Sequence, residues 1–531
     1  MRDTRPFPNT RLVGQMVRVS AILLCLWLPM GVAMAQAPTG EDAKAVGGAT
    51  ASPPTIFGIE ELIAEARRLA GQPYNRPQPL KQPWLPDGYD SYKRLQLKND
   101  RALWAAKPPR FEIHALPAGW LFNHQVDLSV IENGAQRPIT LSSDDFADHR
   151  ERKPDVPPPP VVPLSGFRIN GPLNAPGIAD EIIAFQGATY FRALGERHVY
   201  GLSARGLAIG TAKPTGEEFP EFRHFWIEKP APTSKSVKVH ALLDSPSTTG
   251  AYTFVVTPGK ETVVDVSATL FARRDVNDLG LAPLTSMFLL GPSNPTRVED
   301  FRPRVHDSDG LAFLNGKNER IWRPLSNPRS LQVSSFMDPA IRGFGLIQRH
   351  RAFSGYQDLE AHYERRPSLW VEPISGFENG HVTLVEIPTE EEIHDNIVAF
   401  FRPATAAKAQ QPYSFSYRLR WRDDAPTQAA GPWVSATRVG VVPSRKTLGY
   451  RFVVDYRDDD NQEAKLPVAE VHSSAGTISD LTVHANPETR GFRVSFILSP
   501  EDAELAELRL SVSPWNDRNP EIWLYRWTKR K

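Results

Sequence analysis

The chain has 531 residues, of which 40% are hydrophobic and 23% charged, with a formal net charge of +1. That length exceeds one ordinary core and predicts two or three domains. A near-neutral balance without clustered base excludes a nucleic-acid-binding footprint, and 49 prolines, barred from helix interiors and central strands, favour a loop-rich, mostly β chain.

The N-terminus carries Arg2, Arg5, Arg11 and Arg18 before the apolar run "VSAILLCLWLPMGVAMA", and Ala33-Met34-Ala35 supplies small residues at cleavage spacing. This is the plan of a secretory signal peptide over 1–35. The run has no twin-arginine pair, so general secretory export to the periplasm is expected. Cys25, inside the run, is the only cysteine. Cleavage after Ala35 therefore leaves no thiol for a disulfide, a metal or a nucleophile, and 58 basic against 60 acidic residues.

Residues 36–54 are small, polar and rich in Pro and Gly, and read as a flexible leader. Next, "GIEELIAEARRLAGQP" places Ile59, Leu62, Ile63, Ala66 and Ala70 on one helical face, ended by Gly71 and Pro73. From about residue 110 the pattern turns to short alternating segments such as "RFEIHAL", "KVHALLD", "AYTFVVTPG", "ETVVDVSATLFAR" and "HVTLVEIP", the signature of half-buried strands. The run "KPDVPPPPVVPL" fits only a stiff connector or edge segment. "RPATAAKAQQP", 402–412, reads as a linker between a large β-sandwich over 55–401 and a smaller immunoglobulin-like sandwich over 413–531. The expected class is all-β.

Three constellations bear on chemistry. "RVHDSDGL" sets His306, Asp307 and Asp309 close together, but no second histidine pair or further oxygen ligand accompanies them, which argues against a metal site. No G-x-S-x-G, phosphate loop or dinucleotide fingerprint is present, so no cofactor is expected. "YQDLEAHYERRPSLWVEP" gathers Tyr356, Tyr363, Arg365, Arg366 and Trp370 among acids, and "PTEEEIHDNIVAFF" puts Glu392 and Asp395 before an apolar strand. An acid at a cleft edge can have its pKa raised by partial desolvation. Two such carboxylates with aromatic platforms would suit glycoside hydrolysis. From the residues alone, a solvated acidic loop over ordinary core aromatics fits as well.

These stretches, with "ATYFRALGERHVYGLSARGLAI", "GEEFPEFRHFWIEKP", "LGLAPLTSMFLLG" and "FRPRVHDSDGL", resemble the periplasmic glucans biosynthesis protein G/D family of osmoregulated periplasmic glucan production. The general secretory signal suits the G branch. The resemblance implies a mutarotase-like large sandwich joined to the immunoglobulin-like one. It further implies inverting hydrolysis or transglycosylation of β-1,2-glucan, with Asp395 as general acid and Asp307 as general base. Tyr363 would be a relay member and Glu392 a second acidic neighbour of the acid. Asp309 stands as the alternative base, since spacing does not separate the two aspartates. With His306, Tyr356, Arg365, Arg366 and Trp370 it is otherwise expected to contact sugar. The expected partners are a β-1,2-glucan chain and an inner-membrane glucan synthase, with a homodimer open. A non-catalytic glucan-binding scaffold is the competing implication.

Overall fold

The computed structural model describes residues 57–529, except 106–109, 151–154, 295–298, 428–429, 443–448 and 460–464. The expected signal peptide and leader lie outside the described residues. The described chain is nearly all β. One sheet of ten strands runs from Glu112–Pro117 at one edge to Gln332–Asp338 at the other. A second, of fourteen strands, runs from Ala469–Ser473 to Ala135–Pro138.

The two sheets pack face to face because their alternating strands each turn one apolar row inward. Phe167, Phe185 and Phe191 of the ten-stranded sheet meet Phe225 and Phe254 of the other, with ring centroids 5.1 to 5.4 Å apart. The helix Ile59–Ala70 lies on the outer face of the larger sheet, burying Leu62, Ala66 and Ala70 against Trp226, Ala251 and Phe271. Ile59, at the start of its expected apolar stripe, stays 37% exposed. Residues 155–163 of the proline run form no regular element before the strand Leu164–Gly171 begins.

The expected break at 402–412 falls elsewhere in the sheet pattern. Pro412–Arg422 is an interior strand of the fourteen-stranded sheet, hydrogen-bonded along its length to Thr262–Ala272 and, on its other edge, to Ser368–Ser375. Its alternation read as the first strand of a small sandwich. A half-buried strand carries the same signal in either sheet. Trp421, fully buried at its end, packs in the main core.

The C-terminal segment builds a second layer from Trp433–Val442, Gly449–Arg457, Gly491–Ser499 and Thr477–Asn486. It closes over the far end of the fourteen-stranded sheet, where Ile522–Thr528 pairs in parallel with Arg320–Pro324 through Ile321 and Trp322. Phe452, Phe496, Trp523 and Tyr525 therefore share a core with Trp322, Ile347 and Trp370. A buried ion pair fastens the junction: Arg349 donates to both carboxylate oxygens of Glu521, at 2.9 and 2.7 Å, with its guanidinium 3.5 Å from the Trp322 ring centroid.

Candidate active site

Two loops leaving the core carry the acids. Asp395 stands two residues before the first residue of the strand Ile397–Pro403, and Asp307 directly follows the two-residue strand Val305–His306. Both loops are tied to residues 286–288. The Asn396 side chain accepts from Phe288 N–H (2.8 Å) and donates to the carbonyls of Phe288 and Ile387 (3.0 and 2.9 Å). Asp307 N–H donates to the Met287 carbonyl (2.9 Å), and the Ser308 and Ser286 hydroxyls meet at 2.8 Å. One short segment thus fixes both acids through their neighbours.

The Asp395 side chain is wholly buried, 3.7 Å from Arg192 Nη2, and neither of its oxygens has a hydrogen-bond partner among the described residues. Burial pushes its carboxyl up, Arg192 draws it down, and Asp307 pushes it up again, leaving it at about 7. Asp307 is equally buried, and one of its oxygens accepts from Arg366 Nη1 in a short ion pair. Its other oxygen has no hydrogen-bond partner among the described residues. One acid is therefore poised to hold a proton near neutrality, and the other is held by a cation with a lone pair to spare.

Tyr363 extends this pair outward. The Arg366 guanidinium lies 4.1 Å from the Tyr363 ring centroid, and the Tyr363 hydroxyl donates to Glu392 Oε2 at 2.9 Å. Burial raises the Tyr363 hydroxyl far above its ordinary range. The same Glu392 oxygen meets Arg302 Nη1 at 2.8 Å, and Arg302 also pairs with Asp300 and Asp358, each at 2.7 Å. Glu392 is thus joined to Tyr363 and Arg302, whereas the sequence reading set it beside the acid.

Asp309 is engaged differently. Its Oδ2 accepts the backbone N–H groups of Arg349 (2.6 Å) and His350 (2.8 Å), and its Oδ1 faces His306 Nε2 at 3.3 Å. Burial pushes the Asp309 carboxyl up, but His306 and those N–H groups outweigh it and hold it below its usual range. The His306 ring is set by Gln348, whose amide donates to the carbonyls of His306 (2.8 Å) and Tyr363 (3.1 Å). The Gln348 oxygen is left to accept from His306 Nδ1 at 2.9 Å. Asp309 and His306 so brace the loop on which Asp307 stands. A small cleft of about 40 Å³, open to solvent, is lined by Asp309, Arg304, His350 and residues of the C-terminal layer, and not by Asp307 or Asp395.

The remaining expected residues scatter. Tyr356 is buried against His306 and Tyr363, and its hydroxyl donates to the His350 carbonyl at 3.0 Å. Trp370 packs in the core shared with the C-terminal layer. Arg365 donates to the Arg197 carbonyl at 3.3 and 3.2 Å. Sequence reasoning missed Arg192, Arg302 and Gln348. Arg192 and Arg302 lie about 200 and 90 residues before the acids they face, and arginines that partner acids at such range carry no local signal. No group of three or more His, Cys, Asp or Glu among the described residues is arranged to hold a metal ion.

An all-β protein with two buried carboxyls, each facing an arginine, between loops of its larger sandwich is the class these observations define. The family model for periplasmic glucan biosynthesis protein, MdoG, matches residues 57–527. The chain belongs to that family, and its role lies in glucan biosynthesis. It is 45% identical over 478 residues to glucans biosynthesis protein G of Shewanella frigidimarina, covering 89% of this chain and 85% of that one. It is equally similar to the protein of the same name from Vibrio cholerae serotype O1, covering 89% and 87%. These relatives place it with the G branch. Among solved structures, the Slr1438 protein from Synechocystis aligns with a TM-score of 0.17 at 9% identity, covering 66% of this chain and 100% of that one. That likeness is too slight to bear on the fold.

Proposed function

We propose that this protein acts on β-1,2-glucan backbones as an inverting glycoside hydrolase or transglycosylase, after general secretory export to the periplasm and removal of residues 1–35. The observation that carries the reading is Asp395, a fully buried carboxyl pushed up to about 7 and facing a second, arginine-paired carboxylate. Asp395 donates its proton to the departing glycosidic oxygen. Asp307 receives the proton of the water or sugar hydroxyl that attacks the opposite face, through a relay for which Tyr363 is the candidate member. A pair of this kind ordinarily spans about 6.5–9.5 Å to admit water, and a relay allows more. General acid catalysis of this sort contributes about 10²–10⁴-fold.

The test is incubation of the purified protein with linear β-1,2-glucan, followed by separation of products by chain length. Asp395→Asn is expected to lower cleavage at least about 10²-fold while the chain stays folded. Cleavage near the unsubstituted rate would remove Asp395 from the acid role. A second reading, a glucan-binding partner of an inner-membrane glucan synthase, is favoured by one observation: the Asp395 and Asp307 side chains are both entirely covered in this conformation. Glucan binding without any shorter or cyclised product would select it.

A further inference from the structure

Just outside Tyr363, three large apolar side chains are exposed. Phe301 is 79% exposed, Leu359 75% and Ile393 42%. They come from three separate segments, yet one guanidinium gathers them. Arg302 is the neighbour of Phe301 and bonds Asp358, the neighbour of Leu359, and Glu392, the neighbour of Ile393. Consecutive Cα atoms are about 3.8 Å apart, so the backbones of all three flank a single charge cluster, and the Arg302 guanidinium lies 5.7 Å from the Phe301 ring centroid. The Leu359 turn is braced to present its side chain outward: Asp358 Oδ1 accepts the N–H groups of Glu360 (2.9 Å) and Ala361 (2.7 Å).

Large apolar groups exposed together around a polar centre mark a contact surface. Here the polar centre is nearly self-satisfied, because Arg302 is already shared by Asp300, Asp358 and Glu392. What remains is a partly exposed carboxylate among apolar faces. A pyranose ring matches it, with C–H faces for Phe301 and Leu359 and hydroxyls for Glu392. The surface is also continuous with the acids, since Glu392 bonds Tyr363, whose ring carries the arginine that holds Asp307.

We propose that Phe301, Leu359 and Ile393 form a sugar-face platform at the rim of the site, held in register by Arg302, on which a gluco-oligosaccharide chain rests as it enters. This rests on the glucan-acting reading above. It adds residues whose exposure makes them safe to replace without unfolding the chain.

The experiment is titration calorimetry of a linear β-1,2-gluco-oligosaccharide into the full Asp395→Asn chain, alone and with Phe301→Ala, Leu359→Ala or Phe301→Tyr added. Sedimentation of each variant accompanies it. Phe301→Ala is expected to weaken binding about ten-fold, equivalent to roughly 1.4 kcal/mol. Leu359→Ala should weaken it by less, and Phe301→Tyr should restore it. Unchanged affinity in both alanine variants would overturn the platform while leaving the glucan reading in place. Absence of binding to Asp395→Asn itself would overturn both. Loss of a dimer on either alanine substitution, with sugar affinity intact, would assign the face to a second copy of the chain and overturn the platform.

Discussion

Two buried carboxylates, one on the ten-stranded sheet and one on the loop that enters it, lie near each other and have opposite surroundings. Glu386 lies on Gly380–Glu386, directly across from Ile397, two residues after Asp395. Glu386 accepts from Arg323 (3.0 Å), from the Ser326 N–H (2.7 Å) and from the Ser326 hydroxyl (2.8 Å). Asp395, no more exposed, has an arginine at 3.7 Å and no hydrogen bond from the described residues. A buried charge costs free energy unless it is paired and bonded. Glu386 is fully bonded and ties Arg323 and Ser326 to its strand. Asp395 is left under-satisfied, and such a group is retained for what its proton can do.

The sharpest way to break this contrast is through pH. The Asp395 carboxyl is raised in the fold, so the folded state binds the extra proton between about 4 and 7. Its contribution to stability is full below the unfolded value and is lost as pH rises through about 7. Denaturant titrations at pH 4 and pH 8 are expected to show Asp395→Asn removing a fall on the order of 2–4 kcal/mol. An identical pH slope in both chains would mean that Asp395 titrates normally. Glu386→Gln should instead lose about 3 kcal/mol at neutral pH, because it strands the buried Arg323, and urea midpoints would show it. A third acid supplies the small end of the series. Asp455 is held below its ordinary range because Arg493 and Arg438 together outweigh its burial. Arg438 is half exposed. Arg438→Ala is expected to cost less than about 1 kcal/mol by the same measurement.

The sequence was informative where a signal is local. Period-two alternation announced the strands around 237–272 and 380–403, and the stripe in 59–70 announced the helix. The loop that carries Asp395 was legible because its acids run straight into the apolar strand "IVAFF", and the choice of Asp395 among them came from the resemblance of "HDNIVAF". The destination of Pro412–Arg422 was not legible, since alternation says that one face is buried and not against which sheet. The partners of the acids were hidden for the same reason, because the fold delivers Arg192 to Asp395 and Arg302 to Glu392 from far away in the chain. Burial of Tyr356 and Trp370 shows the converse error, where aromatic residues near acids read as sugar contacts and are core instead.

The strand Pro412–Arg422 also sets a timetable for synthesis. Thr262–Ala272 and Ser368–Ser375 are sheet neighbours only through it, so a chain still growing at residue 400 holds two open strand edges with nothing between them. Unpaired edges of this kind recruit other chains. The larger sandwich cannot close until Trp421 has emerged, when about four fifths of the polypeptide has already been made. Truncation just before that strand should therefore yield an aggregating fragment, whereas the complete chain brings the plug for its own sheet in its final quarter.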